Sequence, residues 1–364
     1  MNQPLDQPGI SLNDIAKRLQ ISPMTVSRVV NRSGSVSAAT QARVLAAMQE
    51  LGYRKDRFAS INSRKRGQQP RVRQVIVDRV GERSGGPSGF TFYDTIALAV
   101  IEALDALGCQ AIVTDLTYDR ARRLDAISSA DAIIFCSPVA PEIEHFARSL
   151  NRGLHCVTIC HQADDAASVN PDDEAGGRMA AECLLGAGHS HVAIFGSEDQ
   201  MNYAIRADSC ARHLRRGRPG MRIDRLDYRI GVDGVTASDL AMERVLSEYF
   251  SGLGLAGRPS AVFAVGGYAT FILYRYLRRH GLAIPQQIGV LGFDSLPFYD
   301  QLDVPLSRIG FAIDALGSQA VEVLMQASAA RSEQPPVIRV AVPCTFIDRG
   351  SVLPLQEMDH GERS

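Results

Sequence analysis

What this 364-residue sequence lacks narrows it before any motif is read. Its seven cysteines are scattered, odd in number and without a Cys-x-x-Cys pair. Neither a disulfide scaffold nor a zinc site is expected, and a reducing cytoplasm is the expected compartment. Cys156 and Cys160 lie four apart around an apolar run, as small core residues would. No apolar run approaches the roughly 18 residues that a membrane helix needs. The opening "MNQPLDQPGI" has no basic start followed by an apolar core, so it does not read as a signal peptide. There is no Gly-x-Ser-x-Gly elbow, no phosphate loop and no metal-ligand spacing; "GVDGV" and "GERSGG" read as turns or loops. Catalytic residues, a metal and a cofactor are therefore not expected. The closing "LPLQEMDHGERS" carries no leucine heptads, so a four-stranded helical assembly is not expected either.

Net charge is also nearly absent, at −1, until the chain is divided. Residues 1–66 hold eleven Lys or Arg against four acids, near +7. The remainder holds 28 basic and 36 acidic residues, near −8. A short basic head on a long acidic body points to a head that binds a polyanion.

The head reads as three helices. Ser11 and Asp14 have capping-box spacing, and Ile15, Ala16 and Leu19 give a helical stripe over 12–19. After the short turn "QI", Ser22 is an N-cap and Pro23 occupies the first helical position, where its missing N–H costs nothing. Val26, Val29 and Val30 form the inward stripe of a second helix, 23–30. A third follows Ser37 with Val44, Leu45, Met48 and Leu51 inward, ending at Gly52. Two short helices joined by a tight turn and supported by a third make a helix-turn-helix unit, here over 10–53. The outward side of the second helix shows Met24, Thr25, Ser27 and Arg28. Short hydroxyls suit phosphate oxygens, and Met24 offers an apolar surface to a thymine methyl. Arg28 can donate two bonds to guanine O6 and N7, worth roughly 1–3 kcal/mol of discrimination.

The stretch "SLNDIAKRLQISPMTVSRVVNRSGSVSAATQARVLAAMQELGY", above all Thr25-Val26-Ser27-Arg28-Val29-Val30-Asn31 and the Val36-Ser37 that opens helix three, resembles the DNA-binding head of the LacI/GalR family of bacterial transcription regulators. The resemblance implies that Pro23 and Met24 choose the operator, that Ser22, Thr25, Ser27, Asn31, Ser37 and Thr40 touch phosphates or base edges, and that Arg28 touches a base. It implies further that the connector 54–70 becomes a minor-groove helix whose leucine wedges between base pairs when two subunits sit on DNA. Here the usual Asn-Pro start reads Lys55-Asp56 and the leucine position reads Asn62, beside Ile61. Either Ile61 rotates in as the wedge, or Asn62 hydrogen-bonds in the groove with less bending; a one-residue shift turns a helix by about 100° and misaims Ile61. Arg57, Arg64, Lys65 and Arg66 supply charge in either case. Without DNA, the connector is expected to be a solvated linker.

From residue 72 short apolar runs recur at 74–78, 110–114, 131–136, 155–159, 191–195, 260–265 and 288–293, with amphipathic segments such as 95–107 and 175–185 between them. Alternating strands and helices imply parallel sheets covered on both faces. The expectation is an all-α helix-turn-helix head plus an α/β body, 71–350, of two doubly wound parallel-sheet lobes divided near 162, with a short polar tail, 351–364. Ligands in such folds sit beyond the C-terminal strand ends, between lobes.

"DDEAGGRMAAECLLGAGHSHVAIFG" and "IPQQIGVLGFDSLP" resemble the same family's sensor module, which is periplasmic-binding-protein-like. The resemblance implies an effector site with Arg206 clamping hydroxyls or a carboxylate, Asp294 binding, and Phe92 and Tyr93 stacking on the ligand. Each has a plainer reading as a surface, capping or packing residue. The family's Asn-Asp after the "AVFA" strand reads Gly266-Gly267, and its Asp-Arg after "VTI" reads Cys160-His161. Losing those groups removes bidentate hydroxyl recognition and argues against a simple free sugar. Tyr268 and His161 could then line a pocket for an aromatic or carboxylated molecule, or the cleft binds nothing. The function expected is a homodimeric regulator, a repressor by expectation, on a palindromic double-stranded DNA operator, with a small-molecule effector. One rival is the same protein answering to a protein partner. Another is an enzyme using Cys160 with His161, or Asp294 with a histidine, as nucleophile and base.

Overall fold

The structure, a computed structural model, describes residues 12–22, 25–26, 29, 37–50, 72–78, 92–114, 127–136, 147, 151, 153–162, 166–229, 235–254, 257–329 and 337–357. The chain divides into two compact units, residues 1–68 and 69–364.

In the first unit, α1 (Leu12–Leu19) ends because Gln20 turns to φ +53°. The N–H of Ile21 then reaches the Ala16 carbonyl at 3.1 Å and that of Gln20 reaches Lys17 at 3.3 Å, closing the last turn in the manner of a Schellman cap. That turn also swings Ile21 onto the core it must cover. Thr25, Val26 and Val29 are helical, and α2 (Ala38–Glu50) completes the head. Ile15, Ala16, Val26, Val29, Val44 and Ala47 are buried together, with Leu19, Ile21 and Met48 packed on them. The two expected valines that can be assessed on the second helix are thus inward. Arg43 donates to the Leu19 carbonyl at 3.3 Å, tying α2 to the end of α1. Val30, Leu51, Gly52 and the whole connector lie outside the described residues.

The second unit has two six-stranded sheets. In chain order its elements are β1 (Gln74–Asp78), α3 (Phe92–Asp105), β2 (Gln110–Thr114), β3 (Ala132–Phe135), β4 (His155–Ile159), β5 (Ala167–Pro171), α4 (Asp173–Gly186), β6 (His191–Gly196), α5 (Met201–Gly217) and β7 (Arg222–Asp227). There follow α6 (Val235–Ser251), β8 (Ala261–Ala264), α7 (Gly267–Arg279), β9 (Gly289–Phe293), β10 (Ser307–Phe311), α8 (Ile313–Ala329), β11 (Arg339–Val342) and β12 (Cys344–Ile347). The first sheet runs β11-β5-β4-β3-β1-β2, all parallel. The second runs β12-β10-β9-β8-β6-β7, parallel except for β12 against β10.

The first crossing between sheets comes after Pro171 and not near 162, because β5 returns to the first sheet. The chain crosses back for α8 and β11, then forward once more for β12, so three segments join the lobes. All seven apolar runs are strands, and their buried residues line the two cores. Cys156 and Cys160 are buried free thiols, as are Cys109, Cys136, Cys210 and Cys344; Cys183 is half-buried and also free. Among the described residues, no helix is long and apolar enough to cross a membrane.

Candidate functional site

Two places concentrate the polar chemistry. In the head, the same device appears twice. The Ser22 hydroxyl accepts the Thr25 N–H at 3.1 Å and shares a hydrogen bond with the Thr25 hydroxyl at 2.8 Å. The Ser37 hydroxyl does the same for Thr40, at 3.3 and 2.8 Å. Each serine caps a helix, and each threonine hydroxyl is held at that helix's first turn, where orphan N–H groups and the helix dipole favour an anion. Ser22 and Ser37 are exposed, while Thr25 and Thr40 are half-buried. Pro23, Met24, Ser27, Arg28, Asn31, Arg57 and Asn62 lie outside the described residues.

In the body, the C-terminal ends of the strands converge on Arg206. This side chain is 2% exposed, although it is an arginine in the middle of α5. Its Nε donates to Asp173 Oδ1 at 2.7 Å, and its Nη1 donates to the Val265 carbonyl at 2.8 Å. Nη1 also lies 3.5 Å from Asp294 Oδ1. The guanidinium sits 3.8 Å from the centre of the Phe293 ring and 5.4 Å from that of Tyr203. Burial works against the charge of Arg206, but Asp173 and Asp294 more than offset it and hold the group firmly protonated. For the same reason in reverse, burial raises both carboxyls, and Arg206 only partly draws them back.

Local sequence explains the arrangement. Two consecutive aspartates open α4, and Asp172 takes the capping role by accepting the Ala175 N–H at 3.0 Å. Asp173 is thereby left to face α5. Gly177 allows the two helices to meet: a Cβ there would run into the Arg206 carbonyl oxygen and lie 2.7 Å from Ser209 Cβ. Asp294 directly follows β9 with φ +89°, and Cys160 directly follows β4 with φ +58°. A non-glycine residue in this region costs about 1–2 kcal/mol, and such strain collects where a site over-determines its backbone. In return, Asp294 Oδ2 accepts the Gly267 N–H at 2.6 Å, and the Tyr299 hydroxyl donates to the Gly267 carbonyl at 2.7 Å.

The glycine pair that departs from the family pattern is closely cradled. A Cβ on Gly266 would lie 2.5 Å from the Tyr203 hydroxyl, and one on Gly267 would lie 2.8 Å from Asp294 Oδ2. Tyr203 thus occupies the space that a side chain at 266 would need. Tyr93 and Tyr203, both half-buried, have their phenol pKa values raised, by burial first and then by their charged neighbours, which include Asp294 for both.

The structure therefore brings Arg206, Asp294 and Tyr93 together. It treats the other expected residues differently. Phe92 meets Phe311 of β10 edge-on at 6.0 Å and Tyr93 at 5.4 Å, so it packs the first lobe against the second. Tyr268 sends its hydroxyl to Asp239 of α6 at 2.5 Å, and its electrostatic neighbours are Asp239, Arg275 and Glu243 instead of the Arg206 group. His161 follows the strained Cys160; its carbonyl accepts from Thr158 Oγ1 at 2.6 Å and its side chain is half-exposed. Asp173, Tyr203 and Phe293 went unread in the sequence. The doubled aspartate at a helix start, and a tyrosine three residues before Arg206 on one helical face, were the available signals. The rival nucleophile Cys160 is buried, and burial pushes its thiol far above the ordinary range, so the thiolate an attack requires is suppressed.

Comparison with known proteins agrees with both halves. Residues 11–56 match the bacterial regulatory proteins of the lacI family, and residues 181–352 match the periplasmic binding protein-like domain. The sucrose operon repressor of Shigella flexneri is 29% identical over 321 residues, 85% of this chain and 92% of that protein. The ribose operon repressor of Escherichia coli K12 is 24% identical, covering 94% and 99%. Among solved structures, the Lac repressor bound to ONPG in its repressed state superposes with a TM-score of 0.59 at 20% identity, covering 94% of this chain and 99% of that one. The CelR–cellobiose complex superposes with a TM-score of 0.60 at 21% identity, with the same coverage. With a helix-turn-helix head that matches at one end and a two-lobed sensor body that matches at the other, the chain belongs to the lacI family of bacterial regulatory proteins.

Proposed function

We propose that this DNA-binding repressor reads a two-fold symmetric operator as a homodimer and is controlled by a small molecule held between the lobes of its body. The match of residues 11–56 to the family's DNA-binding domain carries the first half of this reading. The doubled Ser–Thr device adds to it, since it presents hydroxyls and helix N-termini where a phosphate backbone would lie. Each head offers one recognition helix and so reads half a site, which a two-fold pair completes. In this reading Ser22, Thr25, Ser37 and Thr40 contact phosphates, Pro23, Met24 and Arg28 choose bases, Ser27 and Asn31 touch either, and Arg57 with Asn62 engage the minor groove. Work on chromosomal operators places the protein in the cytoplasm.

For the second half, support comes from the buried Arg206–Asp173–Asp294 group, which has Cys160, after β4 of the first lobe, and Val265, after β8 of the second, as neighbours. A ligand there changes DNA affinity only through its different affinity for two arrangements of the lobes. Control by a protein partner is the competing reading, and it draws on the same internal bonds, which occupy Arg206 and Asp294 with each other. Thermal melting of the full-length protein against pooled metabolites separates the two: a compound that raises the melting temperature saturably supports the effector, and none doing so supports the partner.

The head is tested with Arg28→Ala. The variant should lose operator preference by about 1–3 kcal/mol while keeping weak, salt-sensitive binding to any duplex. An unchanged footprint would remove Arg28 as the base reader.

A further inference from the structure

We propose that the first lobe carries a second ligand site, separate from the Arg206 group: a cavity at the N-terminal ends of β1, β3 and β4 that takes a primary ammonium or guanidinium compound on Asp131 and His155.

The cavity measures about 370 Å³ and is walled by Val72, Ala130, Asn151 and Ser328, with Asp131 and His155 as its titratable groups. That volume falls within the range of small-molecule sites, roughly 300–1,000 Å³. Asp131 immediately precedes β3, and His155 begins β4. Cys160, the neighbour of Arg206, follows the opposite end of β4. The 5 residues of that strand span about 16 Å, so the two sites lie at opposite edges of one sheet.

The hydrogen bonds already made decide which ligand fits. Asp131 Oδ2 accepts the Arg73 and Gln74 N–H groups at 2.7 and 3.0 Å. Its Oδ1 has no partner among the described residues, and neither ring nitrogen of His155 has one there. Asn151 is fully used. Its amide donates to the Ile127 and Ala130 carbonyls at 3.3 and 3.0 Å, and its oxygen accepts the Gly153 N–H at 3.1 Å. The Ser328 hydroxyl spends its proton on the Met325 carbonyl at 3.0 Å. Burial lowers the pKa of His155 from 6.5, with Asp131 pulling the other way only in part. The ring is therefore neutral near pH 7 and keeps one nitrogen as an acceptor.

The side-chain capacity left over is a carboxylate oxygen, an imidazole nitrogen and a hydroxyl oxygen, all acceptors, with one imidazole N–H. No Lys or Arg is among the described lining residues. A group with one positive charge and several N–H donors satisfies this set, whereas an anion would find no cation to meet it. A bare metal ion is poorly served, since among the described residues no three ligating side chains gather to hold one.

The test titrates the full-length protein calorimetrically near pH 7, at constant ionic strength, with butylammonium, putrescine and agmatine. Tetramethylammonium, which has the charge but no N–H, and butan-1-ol, which has no charge, are the controls. At least one of the three probes should bind saturably, and the controls at least about tenfold more weakly. Asp131→Asn keeps an oxygen for the Arg73 and Gln74 N–H groups but removes the charge, and should weaken binding about tenfold or more. His155→Leu keeps the bulk but loses the acceptor, and should weaken binding about three- to tenfold. It decides the matter by itself if Asp131→Asn does not fold, as judged by far-UV circular dichroism. Absence of saturable binding by all three probes overturns the proposal. So does binding that either folded variant leaves unchanged, which would place the cation elsewhere. Equal binding of tetramethylammonium overturns it as well, since bare charge would then suffice without N–H donors.

Discussion

Asp173 and Arg206 face each other across two helices, Oδ1 to Nε at 2.7 Å, with 8% and 2% of their side chains exposed. This pair joins the first residue of α4 to the middle of α5. Its worth as a bond is modest, since two charges were taken out of water to make it. Breaking it from one side is another matter. Arg206→Gln should destabilise the body by about 3–5 kcal/mol, because two raised carboxyls then lose their counter-charge. Urea unfolding followed by far-UV circular dichroism checks this, and a loss below about 1 kcal/mol would mean the pair is not the structural centre described here.

Gly177→Ala tests the helix contact directly. In a helix interior, alanine is favoured over glycine by about 1 kcal/mol. Here the added methyl meets backbone, the Arg206 carbonyl, which cannot turn aside as a side chain could. Overpacking of this kind costs roughly 1–3 kcal/mol, so the net change should be destabilising. Gly186→Ala, which meets nothing within 4 Å, is the matched control and should not destabilise. A more stable Gly177→Ala would mean that α4 and α5 are further apart than they stand here.

His189 gives a pH dependence. It is fully buried, shares a 2.8 Å hydrogen bond with Ser260, and burial pushes its pKa down to about 4. The unfolded chain takes up a proton near pH 6.5 and the folded one only near 4. Stability from this group is therefore complete above 6.5, falls as pH drops through that window, and levels off below 4, a loss of at most about 3 kcal/mol. The difference in urea midpoint between wild type and His189→Gln, measured from pH 7 to 4.5, should shrink as pH falls. A difference that stays constant would place His189 in contact with water.

Much of the fold was legible because its strands are continuous apolar runs, the signature of parallel sheets buried on both faces. The runs at 74–78, 110–114 and 155–159 became strands with those bounds, and the run at 288–293 became one from Gly289 to Phe293. The strands that went unread have other textures. β5, Ala-Ser-Val-Asn-Pro, is buried throughout yet half polar, and β7, Arg-Ile-Asp-Arg-Leu-Asp, lies at a sheet edge where its charges reach solvent and pair with each other. Missing β5 is why the lobe boundary was expected too early. In the site, Arg206 and Asp294 were legible from a family motif. The bond from Arg206 to Asp173 was not, because it depends on α4 and α5 meeting at Gly177, a contact between segments about 30 residues apart that no local pattern encodes. Tyr268 is ambiguous for a related reason: its position in the first turn of α7 is consistent with either face, and in the fold its hydroxyl goes to Asp239 of α6.

The most direct measurement of the central claim is selection of duplexes from a random pool by the full-length protein, followed by anisotropy titration of the enriched sequence against salt. The enriched site should be two-fold symmetric, one half should bind far more weakly than the whole, and log Kd should rise with log salt at about 0.9 per phosphate contacted. A pool that enriches no symmetric sequence, or binding that does not respond to salt, would contradict a paired helix-turn-helix head on a DNA backbone.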